Sequence, residues 1–166
     1  MRFEVSKLDE EQRLVFGFAQ VAIGKGETSP FEDHQGDVVD PEELAKAAYD
    51  FVLESREGNL MHVGKQIAVL VESMVFTDEK LEKFAAGTEA KLPDDIRTAL
   101  AALGDVDAQV FKVLTSAIKR GWWIGEKIAV DAVDPVSGED LFQAVKRGDY
   151  PMFSVEGTGM REPIGG

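Results

Sequence analysis

Apolar and polar positions change period several times along the chain, and each change marks an element. Arg13 to Ile23 (RLVFGFAQVAI) is rich in aromatic and β-branched residues and predicts a long strand covered on both faces, Gly17 marking a bulge or close backbone approach. A loop dense in Gly, Pro, Asp and Ser follows (GKGETSPFEDHQGD). A helix is predicted to open at Asp40: Asp40 serves as N-cap, Pro41 fits the first helical position and Glu43 completes a capping box. Leu44, Ala48, Phe51, Val52 and Ser55 recur at helical spacing, and Gly58 is the predicted stop. Gln66 to Phe76 (QIAVLVESMVF) predicts a second long strand. Strict alternation puts Ile67, Val69, Val71, Ser73 and Val75 on one face, and Ala68, Leu70, Glu72, Met74 and Phe76 on the other. Both sets are mostly apolar, so a central strand is expected.

From Thr77 to Arg120 the texture turns to Ala, Lys, Glu and Leu. Pro93-Asp94-Asp95 opens one helix that Gly104 closes. Asp107 to Arg120 forms another, carrying Val110, Phe111, Leu114, Ala117 and Ile118 on one side, with Gly121 as stop. This block reads as a helical insertion at about 77–120. Trp122 to Val133 returns to strand texture, a short helix at Glu139–Arg147 ends at Gly148, and Tyr150–Glu156 and Met160–Glu162 read as closing strands. The order β, α, β, helical block, β, short α, β, β predicts an α+β fold with a largely antiparallel or barrel-like sheet.

Composition narrows the partners. The chain has 166 residues, 44% of them apolar, which fits a single domain over 1–166 with one core. Its 18 basic and 31 acidic residues give a net charge of −13, which argues against nucleic acid and anionic membrane surfaces. No apolar run reaches the ~18 residues of a membrane span, and MRFEVSKLDEEQR lacks the apolar core of a signal peptide. With no cysteine, disulfides, thiol nucleophiles and thiolate metal sites are excluded.

Few residues can carry chemistry. The two histidines are His34, in the polar turn Asp33-His34-Gln35-Gly36-Asp37, and His62, just ahead of the second long strand. His34 fits a loop stabilised by Asp side chains, or a supporting place in a site. His62 fits either a structural imidazole or a general base. Ser154 is a small polar residue in an apolar run, either a hydroxyl bonded to backbone or a nucleophile; a nucleophilic serine needs a base, and His62 is the natural supplier. Glu72 is the one charge in its strand. A carboxylate there must be paired, and it either orients a histidine or meets a Lys or Arg at the sheet edge. A zinc site from Asp33, His34, Asp37 and His62 has neither an HExxH pattern nor paired-His spacing behind it. No cofactor is expected.

The stretches DHQGDVVDPEELAKAAYDFVLESR, MH, IAVLVESMVFT, GWWIGEKI and YPMFSVEGTGMRE, in that order, resemble the XkdF-like branch of the phage prohead (capsid-maturation) serine proteases. The resemblance implies a small, mostly antiparallel β-barrel surrounded by helices, similar to the herpesvirus assemblin proteases. It implies a serine endopeptidase with Ser154 as nucleophile and His62 as base, His34 and Asp37 taking a structural or site-supporting place; backbone N–H groups then stabilise the oxyanion, with Arg161 a candidate to assist. The family's third catalytic residue, a His or an acid, comes from beyond the serine; only Val155–Gly166 follows here, so either the chain is truncated, or Glu72 or another acid takes that place, or a His–Ser dyad suffices. The implied substrates and partners are phage scaffold and major capsid protein segments and the protease itself, with self-association, in host cytoplasm inside the assembling prohead. The alternative is a non-catalytic capsid-assembly or scaffold protein that retains the fold.

Overall fold

The computed structural model describes residues 5–32, 38–59, 66–89, 91–151 and 153. Its elements are β1 (Val5–Asp9), β2 (Leu14–Ile23), α1 (Pro41–Glu54), β3 (Glu57–Asn59), β4 (Gln66–Phe76), α2 (Asp78–Glu89), α3 (Asp94–Ala101), α4 (Val106–Ala117), β5 (Arg120–Ile128) and α5 (Leu141–Arg147). The strands form one antiparallel sheet in the order β1-β2-β5-β4-β3. The α+β class and the antiparallel sheet follow the sequence prediction. Closure into a barrel does not: among the described residues the sheet is open, with the short strands β1 and β3 at its edges. The predicted closing strands Tyr150–Glu156 and Met160–Glu162 fall largely outside the described residues.

One face of the sheet is the core face. Trp122 and Ile124 of β5, with Leu70 and Val75 of β4, pack under Leu44, Ala45 and Ala48 of α1. Phe51 of α1 meets Trp122 edge-on at 5.5 Å. A second cluster joins Val15, Ala68 and Ile128 to Leu141 and Phe142 of α5. On the opposite face lie Trp123 and Phe18, also edge-on, at 5.3 Å.

The helix starts are well read from sequence. Asp40 accepts from the backbone N–H groups of Glu42 and Glu43 at 2.8 and 3.0 Å, satisfying donors that the first turn leaves open. The reciprocal arm of the box is absent, because Glu43 pairs with Lys46 instead. Asp140 caps α5, and Gly148 ends it in the left-handed conformation at φ 89°. Asp140 also holds Arg13 bidentately, at 2.7 and 2.6 Å, tying α5 to the start of β2.

Two helix ends differ from expectation. Gly58 is not the stop of α1, which ends at Glu54; it lies in β3, opposite Ala68. The last block helix ends at Ala117 rather than Arg120, and Gly121 is a strand residue paired with Val21 and Phe76. A Cβ at 121 would stand 2.4 Å from the Gln20 carbonyl oxygen, so close strand approach demands glycine there. Arg120 is a core side chain: it donates to the carbonyls of Gly24 and Thr115, at 3.3 and 3.1 Å, and to that of Glu27. β5 ends at Ile128 rather than Val133, which makes only an isolated bridge to Asp140.

The faces of β4 also differ. Leu70 is the register partner of Glu126, but Glu72, not Val71, is the partner of Gly125. Val71 is therefore the extra residue of a bulge, and it reverses the alternation downstream. Ala68 and Leu70 share the core face with Ser73 and Val75. Glu72, Met74 and Phe76 turn to the other side with Trp123.

Candidate active site

The sequence candidates fall unevenly on the described residues. His62, Ser154, His34, Asp33, Asp37 and Arg161 lie outside them; Glu72 lies within. Glu32 and Val38, on either side of residues 33–37, form a β-bridge. Asn59 and Gln66, which bound the 60–65 connection, are register partners.

The chain leading to Ser154 is anchored three times. The Tyr150 hydroxyl donates to Asp134, the Val5 N–H donates to the Pro151 carbonyl at 2.7 Å, and the Phe153 side chain packs against both core clusters. Asp134 also accepts from the Ser137 hydroxyl and from the backbone N–H groups of Val136 and Ser137. The Ser137 hydrogen bond first, and then that of Tyr150, hold its carboxyl well below the usual carboxylate range. Asp134 is thus the ionised post to which the 150–153 segment is tied.

Glu72 sits on the face of the sheet opposite Phe153. It is exposed, and its Oε1 accepts from the indole N–H of Trp123 at 2.8 Å. That partner is neither a histidine nor the Lys or Arg that the sequence left open. With Phe18, Met74, Phe76 and Trp123 it lines a groove of about 370 Å³ closed on one side by Ala117 and Ile118. Lys119 stands over the Phe18 ring, 5.5 Å from its centre.

A second carboxyl lies on the core face. Glu126 of β5 is flanked along its strand by Ile124 and Ile128 and paired across with Val15 and Leu70. A Cβ built on Gly58 of β3 would be 2.8 Å from each Glu126 carboxyl oxygen, so the side chain reaches over β4 onto β3. Desolvation by burial pushes its pKa up to about 7.

Residues 2–162 match the protein family described as "Putative phage serine protease XkdF". The chain belongs to this phage serine protease family. It matches no curated protein and no solved structure at a significant level. The family supports a hydrolase of the serine protease type and a viral origin. No helix among the described residues is long and apolar enough to cross a membrane.

Sequence reasoning passed over Glu126 in this member of the phage protease family. The signal was present: in Trp122-Trp123-Ile124-Gly125-Glu126-Lys127-Ile128, Glu126 is in phase with Trp122, Ile124 and Ile128. It is the one carboxyl on the apolar side of that strand, which it shares with the buried Arg120, and a carboxyl there is costly unless it works or is paired.

Proposed function

We propose that this chain is a serine endopeptidase of phage prohead maturation, cleaving scaffold and major capsid protein segments and itself. What supports the proposal is the family match over 2–162, in a chain that offers two histidines and places a serine in the family's late Phe-Ser context. In this reading His62 removes the Ser154 hydroxyl proton while the oxygen attacks a scissile carbonyl carbon. The tetrahedral oxyanion is met by backbone N–H groups with Arg161 assisting, and its collapse expels the amine, which takes the proton from His62. Water then attacks the acyl-enzyme, with His62 again as base, releasing the new carboxylate and restoring Ser154. Glu72 is the sequence candidate for the third member, orienting His62.

The closing strands predicted at Tyr150–Glu156 and Met160–Glu162 are the segments that would complete the small barrel the resemblance implies. The net charge of −13 fits work among proteins inside the prohead, in host cytoplasm, better than contact with DNA. Co-expression with the neighbouring capsid and scaffold proteins, followed by intact mass measurement, tests the proposal. Discrete truncations that vanish with Ser154→Ala are expected. Full-length masses for every protein in assembled particles would instead support the non-catalytic scaffold.

A further inference from the structure

We infer that one side of α4 is a self-association surface, on which two copies of this chain dock across a two-fold axis beside Val113. It stands apart from the serine chemistry proposed above. Three observations carry it. The first is an apolar strip along the helix. Gln109, Val113 and Ala117 follow one another at four-residue spacing, so they share one side of α4. At the N-terminal end the Gln109 side chain donates to the Leu103 carbonyl at 3.3 Å, which places the corner between α3 and α4 there. At the C-terminal end Ala117 lines the groove of about 370 Å³, together with Ile118, Phe18, Met74 and Trp123. Leu103 is 70% and Val113 60% exposed, so neither serves the core of its own chain.

The second observation is that the two ends of the strip are complementary. The corner offers exposed apolar side chains, Leu103 and Ile96, beside a helix that buries nothing; the other end is a groove. They lie roughly 18 Å apart, the length of a twelve-residue helix at about 1.5 Å per residue. A two-fold axis crossing the middle of α4 sets the helix antiparallel to its copy and lays each corner over the other copy's groove. The same contact is then made twice, and the assembly closes at two copies. The third observation is charge. At −13 overall, two copies repel unless opposite charges meet locally. In this arrangement they do: Asp95, and Asp105 at the N-cap of α4, flank the corner, while Lys25 and Lys119 stand at the groove. The groove's own carboxylate, Glu72, is held by the Trp123 indole. A free apolar peptide would fill the groove but leave Val113 and Leu103 in water, whereas a second copy covers all three.

The test is sedimentation of the full chain over about 1 to about 300 µM, with the fold of each variant checked by circular dichroism. A concentration-dependent dimer is expected, weakened by high salt because its rim charges are screened. Val113→Asp and Leu103→Asp, both at exposed positions, should raise the dissociation constant about tenfold or more. Val136→Asp, at an exposed position between β5 and α5, should leave it unchanged. Because the chain has no cysteine, single cysteines report the axis. Val113→Cys should couple to its own copy through a short bis-maleimide. Leu103→Cys and Met74→Cys should each stay uncoupled alone and couple when mixed. A chain that stays monomeric throughout the range overturns the inference, even if its groove then takes an acidic peptide. Open-ended oligomers overturn it too, as does a dimer that Val113→Asp and Leu103→Asp leave intact.

Discussion

At Glu126 the sign of the pH dependence can be worked out. Below the ordinary value of 4.5 the carboxyl is protonated whether the chain is folded or not, and it contributes nothing. Between 4.5 and about 7 the unfolded chain ionises while the folded one keeps its proton, so stability falls as pH rises. Above that window the penalty is constant, roughly 3 kcal/mol at about 1.36 kcal/mol per tenfold. Glu126→Gln should therefore raise stability at pH 8 by up to about 3 kcal/mol and leave it unchanged at pH 4, and urea titrations at the two pH values measure the difference. Arg120 poses the opposite case, a buried charge with partners. It is 2% exposed, donates to the carbonyls of Gly24, Glu27 and Thr115, and has Asp78 Oδ1 3.1 Å from its Nε, a charge contact without hydrogen-bond alignment. Arg120→Met orphans those carbonyls and should cost about 3 kcal/mol by the same titration.

Single elements show what alternation can and cannot reveal. β2, β4 and the amphipathic helices were legible because many residues repeat one period; β1 (VSKLD) and β3 (EGN) were not, being short edge strands with no apolar face to count. The bulge in β4 was equally hidden, since QIAVLVESMVF is apolar on both sides and either phase fits it. That ambiguity misplaced Glu72: strict alternation joins it to Leu70, and the bulge separates them. The site was legible in the same uneven way. A serine and a histidine are conspicuous by residue type, whereas Glu126 is one acid among many until its phase with Ile124 and Ile128 is counted. The bulge has a direct test. Val71 and Val75 share a face in the unbulged strand, yet Val71 is 52% exposed and Val75 2%. Val71→Asp should change stability by less than about 1 kcal/mol, while Val75→Asp places a lone carboxylate in the core and should cost more than about 4 kcal/mol. Denaturant midpoints separate the two outcomes, and comparable losses would mean that β4 runs unbulged.

Across the whole molecule, the helical block is an insertion into a β-hairpin. β4 and β5 are antiparallel neighbours, and Phe76, where the chain leaves the sheet, is the register partner of Gly121, where it returns. α2 and α4 pack on each other and bury Leu81, Ala85 and Val106, whereas α3 buries nothing. The block is tied to the sheet by few bonds: Arg120 to Thr115 and Asp78, the Gly26 N–H to the Thr115 carbonyl at 2.9 Å, and the Lys80 ammonium to the Val75 carbonyl at 2.8 Å. Its apolar contacts with the sheet lie at the groove, where Ala117 and Ile118 face Phe18 and Phe76. The block also meets α1, since Lys80 of α2 stands 5.3 Å from the centre of the Tyr49 ring. Replacing 79–118 by a short Asn-Gly turn should therefore leave the sheet folded, since the strand ends are already adjacent and a two-residue turn suits antiparallel partners. The loss of the Thr115 bonds and the wetting of Phe18 and Phe76 should lower the melting temperature. Retained sheet signal in circular dichroism, a cooperative melt and buried Trp122 fluorescence are the expected results. Collapse to an unfolded chain would make the block part of the shell that the sheet needs. If the shortened chain folds, labelling at Ser154 in it separates the chemistry from whatever the exposed Phe84, Ile96, Leu103 and Val113 of the block contact. Labelling at the parent's rate would assign the block to association rather than to catalysis.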